Sequence, residues 1–532
     1  MLPSSSSSAK PPASSSSFVM PAAKRQKADQ ACLAASSASK AAIARILLAL
    51  HAQGCLIDGI VDENASENSL RLEIGTAVKT LGDEATPFGK VMQTIQLETD
   101  SPGKPFTWPF IHPLALVYAL SKISSGFARI MKQCIDKLGT GAMRVVIYVD
   151  EVRPGNVLRP DTGRAVSNVF WAFADWPQWY LKRDDAWLTF GCIRSGIVNK
   201  TKGAMSGVMK HVLHQFFAPS GPNFATSGGL VEHGGETILF KAVFAGFLGD
   251  EKGLKEVFAS KGPSSSRPCL GCKNLCQFID PGVMASQHYL IGIDCPTPAN
   301  FDRASDSEIY DMVDMLKDYA ANRSNQELML LEQTTGLHYE PHGLLYDEHC
   351  RSFVLPVTGY LRDWMHMLAV SGVANIELEQ LVRVLGTVGV KPQMLTDFFA
   401  RITLPKASQK VDPEWFTVKR LGRPSEFKDG WKGFSSELLV IVPIVRAFLE
   451  FAVAPMGVLS DNIRCFRLLD RMIKLFSLGA EKAVDHIDTI DIVIKDHARL
   501  FAALYGHAIK PKYHHLFHVL DHMRQTRRLL SC

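Results

Sequence analysis

The hydrophobic pattern changes character three times along the chain. From Pro113, well suited to a helix's first turn, apolar residues recur on most sides (Leu114, Leu116, Val117, Leu120, Ile123, Phe127, Ile130). This pattern predicts a helix extending to Leu138 and stopped by Gly139. An earlier helix is expected from Ser37 to about Gln53, with Gly54 as its stop. Between them, residues 55–112 are mixed and broken by Thr86-Pro87, Pro102-Gly103 and Pro105. Residues 35–140 therefore read as a helical N-terminal domain.

The period then shortens. Arg144-Val-Val-Ile-Tyr-Val-Asp150 is a continuous β-branched run that reads as a central strand. Val169–Asp175 and Trp187–Ile193 read as two more strands, Lys202–Phe217 as a helix, and Thr237–Gly249 as a fourth strand ending at Asp250. A short helix and Cys269-Leu-Gly-Cys272 follow. From residue 275 to about 505 the pattern is helical. Ser305-x-x-Glu308 and Ser324-x-x-Glu327 have capping-box spacing, and helices are expected near 377–388, 393–402, 435–452, 459–477 and 485–505. Leu438–Val445 is only eight apolar residues before Arg446, against the roughly 18 that a membrane span needs, so it reads as a buried helix and no membrane partner is expected. Residues 506–532 carry a His-x-x-x-His helix.

Composition narrows the class. At 532 residues, 46% hydrophobic, the chain has room for several cores. A net charge of +5 with 21% charged residues excludes a heavily charged nucleic-acid binder, so any basic groove is local. Residues 1–34 are Ser, Ala, Pro and Lys-rich and are expected to be disordered. They contain Lys24-Arg25-Gln26-Lys27, which matches a nuclear import signal or a basic patch in a solvated tail. The eleven cysteines form no regular disulfide framework and follow no secretory signal, so Cys-x-x-Cys is read as metal-binding or catalytic.

Two sets of residues carry candidate chemistry. Asp150 and Asp250 end neighbouring strands, where carboxylates hold hard cations on a rigid base; each is also a plausible turn or helix cap. Phosphodiester cleavage uses two Mg²⁺ or Mn²⁺ ions about 3.5–4 Å apart, which activate the attacking oxygen and stabilise the leaving one. Cys269 and Cys272 have the spacing of two zinc ligands and need two more. Cys276 and His288 would complete a local knuckle. His514 and His518, four apart on one helical face, would complete a long-range clamp. Lys510, Lys512, Arg524, Arg527 and Arg528 are candidate phosphate contacts or a solvated helix end. His338, Glu340, His342 and His349 are close in sequence, but Pro341 and Gly343 break any shared helix.

The order of these features resembles DDE transposases of the CACTA-like type, related to the CACTA, Mirage and Chapaev groups, and the catalytic core of the RAG recombinase. It comprises an acid on a first strand, an acid after a fourth, Cys-x-x-Cys, a helical insertion, Asp-Trp-Met-His at 363–366, and His-x-x-x-His. The resemblance covers about residues 140–520. It implies an α/β plus α fold, with a ribonuclease-H-like mixed-sheet core at 141–274 and a helical insertion at 275–505. Asp150 and Asp250 would be catalytic, binding Mg²⁺ or Mn²⁺, and Cys269, Cys272, His514 and His518 would hold structural Zn²⁺. His366 is a motif residue without an assigned role. DNA is the implied partner, the nucleus the implied location, and a homodimer or larger assembly the implied state. In this family a third catalytic acid, a Glu, follows His-x-x-x-His by some tens of residues. The sequence ends at Cys532 with no Glu after His518, and Asp521 comes too early, so a truncated or relic transposase of reduced activity is expected. The alternatives are a non-enzymatic DNA-binding or scaffold protein of the same descent, and a zinc-stabilised helical interaction protein.

Overall fold

Five strands form the sheet on which the molecule is assembled. In this computed structural model, residues 82–530 are described except 102, 153–154, 157–158, 161–164, 277–289, 405–410, 412–415 and 417–434. The serine-rich tail, its Lys24–Lys27 motif, the helix expected at Ser37–Gln53 and His288 lie outside the described residues.

After a tight turn that pairs Ala85–Thr86 with Gly89–Lys90 come strands β1 (Met92–Leu97) and β2 (Phe106–Ile111), followed by helices α1 (Pro113–Ile123) and α2 (Ser125–Leu138). β1 and β2 pair antiparallel, Met92 opposite Ile111 and Leu97 opposite Phe106. The expected helical N-terminal domain is thus, over its described part, a hairpin and two helices. Their side chains share one apolar core with the sheet, and the Trp108 indole donates to the Cys192 carbonyl at 3.0 Å. The alternation in Met-Gln-Thr-Ile-Gln-Leu is a strand period. The stretch read as mixed around the Pro105 breaker holds two paired strands. The single helix expected over 113–138 is also broken. Ser124 is extended (φ −130°, ψ 102°) and its hydroxyl accepts from the Phe127 amide at 3.2 Å, capping α2. The two helices meet at 118°.

The sheet strands are β3 (Met143–Val152), β4 (Val166–Phe173) and β5 (Leu188–Arg194); after α3 (Ala204–Phe216) come β6 (Gly229–His233), β7 (Glu236–Phe240) and β8 (Ala242–Gly249). The strand expected at Thr237–Gly249 is therefore two: β7 pairs with β6 in a separate hairpin, and only β8 enters the sheet. Short α4 (Glu251–Val257) leads to α5 (Asp306–Asn322) and α6 (Asn325–Thr335), and then to a three-residue strand, β9 (Tyr360–Arg362). The sheet order is β9-β8-β3-β4-β5. β3, β8 and β9 run parallel, while β4 is antiparallel to both β3 and β5. The fold is mixed α/β with a large helical share.

The helical insertion expected over 275–505 is interrupted by β9. Before it, α5 and α6 start at the expected capping boxes of Ser305 and Ser324, and Ile309, Val313 and Leu316 of α5 pack into the sheet's core. After it, α7 (Trp364–Ala369), α8 (Val373–Thr387), α9 (Pro392–Phe399), α10 (Ser435–Phe448), α11 (Ser460–Phe476), α12 (Ile487–Tyr505) and α13 (Pro511–Thr526) build a second core. The helical stretch Ser435–Met456 that includes α10 is long and apolar enough to cross a membrane. It nonetheless buries Leu438, Ile441, Val442, Val445 and Phe448 in this second core.

Two features hold the sheet in register and to α13. Gly246 sits at a register shift with φ +153°, and a Cβ there would lie 2.5 Å from the Gly359 carbonyl oxygen. Only glycine lets β9 approach this closely. On the other edge of β3, Arg144 forms an ion pair with Asp175 at 2.8 Å and donates to the Thr526 carbonyl at 2.6 Å, holding the end of α13 to the sheet. The main core is aromatic: Trp171 meets Phe173 and Phe216 edge-on with centroids 5.4 and 5.1 Å apart. Trp171→Ala should lower stability by about 3–5 kcal/mol in denaturant unfolding; a loss below about 1 kcal/mol would show that this cluster does not organise the core.

Candidate metal centres

The Cys-x-x-Cys loop is shaped from below by Arg267. Its buried guanidinium donates to the carbonyls of Cys272 (2.9 Å) and Leu270 (3.1 Å) and so tightens the turn. A Cβ on Gly271 would lie 2.7 Å from His518 Cε1, so the loop needs glycine to approach α13. On α13, Pro511 takes the helix's first position, where its missing N–H costs nothing. His514 and His518, one turn apart, then face the loop.

Cys269, Cys272, His514 and His518 are all buried, with their ligating atoms within 4.8 Å of one another. His518 Nε2 is 3.2 Å from Cys269 Sγ and 3.5 Å from Cys272 Sγ; His514 Nε2 is 3.5 Å from Cys272 Sγ and 3.0 Å from His518 Nε2. Tetrahedral bonds of about 2.0–2.3 Å give ligand separations of about 3.3–3.8 Å, so small adjustments would seat an ion. The cluster can hold a metal such as zinc. Cys276 is not part of it, so the long-range set, rather than a local knuckle containing Cys276, is the one brought together.

The surrounding charges suit this role. Burial opposes ionisation of Cys269, but the Cys272 hydrogen bond, His518 and Arg362 outweigh it and hold the thiol well below its usual range. The hydrogen bond to Cys269 and burial drive Cys272 the other way. Without a cation the pair thus favours one thiolate and one thiol. Burial presses His514 down to about 3, keeping its imidazole neutral and its lone pair available. His518 Nδ1 lies 3.3 Å from Asp521, which also pairs with Arg303 at 2.9 Å. A carboxylate behind a ligating histidine fixes its ring and raises its basicity. Asp521, too early in sequence for a third catalytic acid, therefore stands in a supporting position.

Asp150 and Asp250 form the second constellation. Both, with Glu151, Lys252 and Glu256, line one cavity of about 230 Å³. β3 and β8 run parallel as neighbours, so their C-terminal ends open on the same side. Asp250 also caps α4, with Oδ1 accepting from the Gly253 amide at 2.6 Å. The capping role is real, and it leaves Oδ2 uncommitted by that bond. Burial raises the Asp150 pKa, and the charge of Asp250 adds to the rise while His366 opposes it. Burial also raises Glu256, with Glu151 and Asp250 adding to the shift against Lys252. Among the described residues, Asp150 and Asp250 belong to no set of three ligating atoms that lie within 4.8 Å of one another.

Sequence reasoning missed the third side of this edge. Asp363 follows β9 directly, its amide donating to the Gly249 carbonyl at 3.1 Å beside Asp250. It is fully buried and caps α7 through the Met365 amide at 3.0 Å. Its other oxygen is 2.6 Å from His366 Nδ1. Burial works against the imidazolium, but Asp363 and the charge of Asp250 raise the His366 pKa overall. Arg362 links the two constellations, reaching Cys269 Sγ at 3.6 Å and Glu251, next to Asp250, at 3.3 Å.

The basic residues expected to meet phosphates divide. Arg528 is buried against the Trp176 carbonyl, Arg524 pairs with Asp491 at 3.0 Å, and Lys512 donates to the His366 carbonyl at 3.2 Å. Lys510 and Arg527 remain exposed. The four residues His338, Glu340, His342 and His349 form no metal group; His349 instead packs against His214.

No family model and no curated protein matches this chain.

The purified protein should carry a metal ion bound by the four Cys/His ligands. Asp521→Asn should weaken that affinity about 10–100-fold in competition with a chelating dye, and unchanged affinity would leave Asp521 without the supporting role. Gly271→Ala should also weaken it, because the added methyl displaces His518.

Proposed function

We propose that this chain is a transposase-like DNA-processing protein, with a ribonuclease-H-like core that binds divalent metal at Asp150 and Asp250 and a structural zinc held by Cys269, Cys272, His514 and His518. The observation that carries this reading is the meeting of two carboxylates, from the adjacent parallel strands β3 and β8, at one cavity. The sheet order supports it: three antiparallel strands, β5, β4 and β3, followed outward by two parallel ones, β8 and β9, matches the order this reading expects of the core. Zinc is favoured for the clamp because two thiolates and two imidazoles in tetrahedral reach match its preferences.

Hard oxygen ligands suit Mg²⁺ or Mn²⁺, which when bound supply an activated oxygen nucleophile and stabilise the leaving oxygen of a phosphodiester. Asp150 and the free oxygen of Asp250 would hold the cation. Helix α4, capped by Asp250, fixes that carboxylate's rotamer. His366, paired with Asp363, lies close enough to Asp150 and Asp250 for its charge to act on both. DNA is then the substrate class and the nucleus the working compartment, with assembly as a dimer or larger particle following the same reading.

One observation favours the non-enzymatic alternative, a DNA-binding or scaffold protein on the same frame: among the described residues, the two aspartates belong to no such set of three ligating atoms. Nicking of end-labelled DNA in Mn²⁺ distinguishes the two. The enzymatic reading expects nicking by the wild type and at least about 100-fold loss in Asp150→Ala and in Asp250→Asn, with the clamp's metal retained. DNA retention without nicking would leave the scaffold reading, and equal nicking by the variants would rule out this centre.

A further inference from the structure

The second core holds three groups that an all-apolar helical bundle does not need. Glu377 on α8, Cys465 on α11 and His497 on α12 are each no more than 1% exposed. Their ligating atoms lie within 4.8 Å of one another. His497 Nε2 is 2.6 Å from Glu377 Oε2. The other carboxylate oxygen, Oε1, is buried without a hydrogen-bond partner. A fourth polar group is alongside: Tyr513 of α13 stacks on the His497 ring (centroids 6.4 Å apart, planes 6° apart), and its buried hydroxyl also has no hydrogen-bond partner.

We propose that Glu377, Cys465 and His497 form a second metal site, structural and selective for a zinc-like divalent ion, that fastens α8, α11 and α12 together inside the helical core. Thiolate, imidazole and carboxylate are all zinc ligands, and the mixed set suits a borderline-soft ion better than Mg²⁺ or Ca²⁺. The charges close: a thiolate, a carboxylate and a neutral imidazole around a divalent cation sum to zero. The competing arrangement, a carboxylate–imidazolium pair beside a neutral thiol, is also neutral. It leaves the Tyr513 hydroxyl without a partner and gives the Glu377 carboxylate, beyond His497, only the weak thiol donor of Cys465, and buried polar groups so poorly matched are costly. A bound ion engages the carboxylate and leaves a fourth position for a trapped water. Burial of all three side chains leaves no route for substrate, so the site's role is to hold helices.

This inference is independent of the DNA-processing reading and of the Cys269–His518 clamp. The test is zinc content of the full chain after reconstitution and dialysis, with cobalt substitution as a second readout. The wild type should bind two equivalents. Cys465→Ser and Glu377→Gln should each lose one, and Cys269→Ser the other. In the cobalt form, Cys465→Ser should remove the smaller share of thiolate-to-cobalt absorption, since this site has one sulfur and the clamp two. Retention of two equivalents by both Cys465→Ser and Glu377→Gln would overturn the proposal. So would a wild type with a single equivalent that Cys269→Ser abolishes, a result that needs no core variant to fold.

Discussion

Two residues of one loop and two of one helix, about 240 positions apart in sequence, meet in a buried cluster, and the geometry of the active-site candidate hangs on that meeting. Where His518 reaches Cys269 at 3.2 Å, α13 is drawn across the parallel edge of the sheet. The turn before His518 brings His515 to 3.3 Å from Glu251, the residue after Asp250. Arg362, on the last strand, touches both the sulfur of Cys269 and the carboxylate of Glu251. A displaced helix would therefore disturb the start of α4, and with it the cap that orients Asp250. Burying so many charged groups is costly unless each finds partners. Here Arg362 sits between the sulfur of Cys269 and the carboxylate of Glu251, which His515 also approaches.

This arrangement explains why the helical segment is threaded as it is. The chain leaves the sheet after β8, packs α5 and α6 onto the sheet's own core, returns for three residues at β9, and only then builds the second core. β9 delivers Arg362 to the clamp and Asp363 to the edge in consecutive positions. Fusing those tasks in one short strand ties the metal cluster, the Asp363–His366 pair and the aspartate cavity to the same three parallel strands.

Much of this was legible from pattern alone. The β-branched run at 144–149 announced a central strand, and Cys-x-x-Cys with His-x-x-x-His announced a candidate metal cluster, because spacing on a turn and on a helix is local information. The capping boxes at Ser305 and Ser324 were equally local. What escaped depended on tertiary partners. Ser124 breaks a helix whose apolar content alone predicted continuity, and β9 is too short to show a period. The hairpin at 92–111 lay among proline breakers that suggested loops. Lys241 separates β7 from β8, yet nothing in the apolar run flags that the two strands join different sheets. Arg303, Arg362 and Asp521 acquire their roles only through proximity, which no spacing rule reports.

Anomalous diffraction at the zinc absorption edge from crystals of the full chain tests the central claim most directly. The account predicts a peak within bonding distance of Cys269 Sγ, Cys272 Sγ, His514 Nε2 and His518 Nε2 together, with α13 lying against the parallel edge. A peak bound instead by Cys276 and other residues local to the loop, or no peak with α13 still in place, would contradict it.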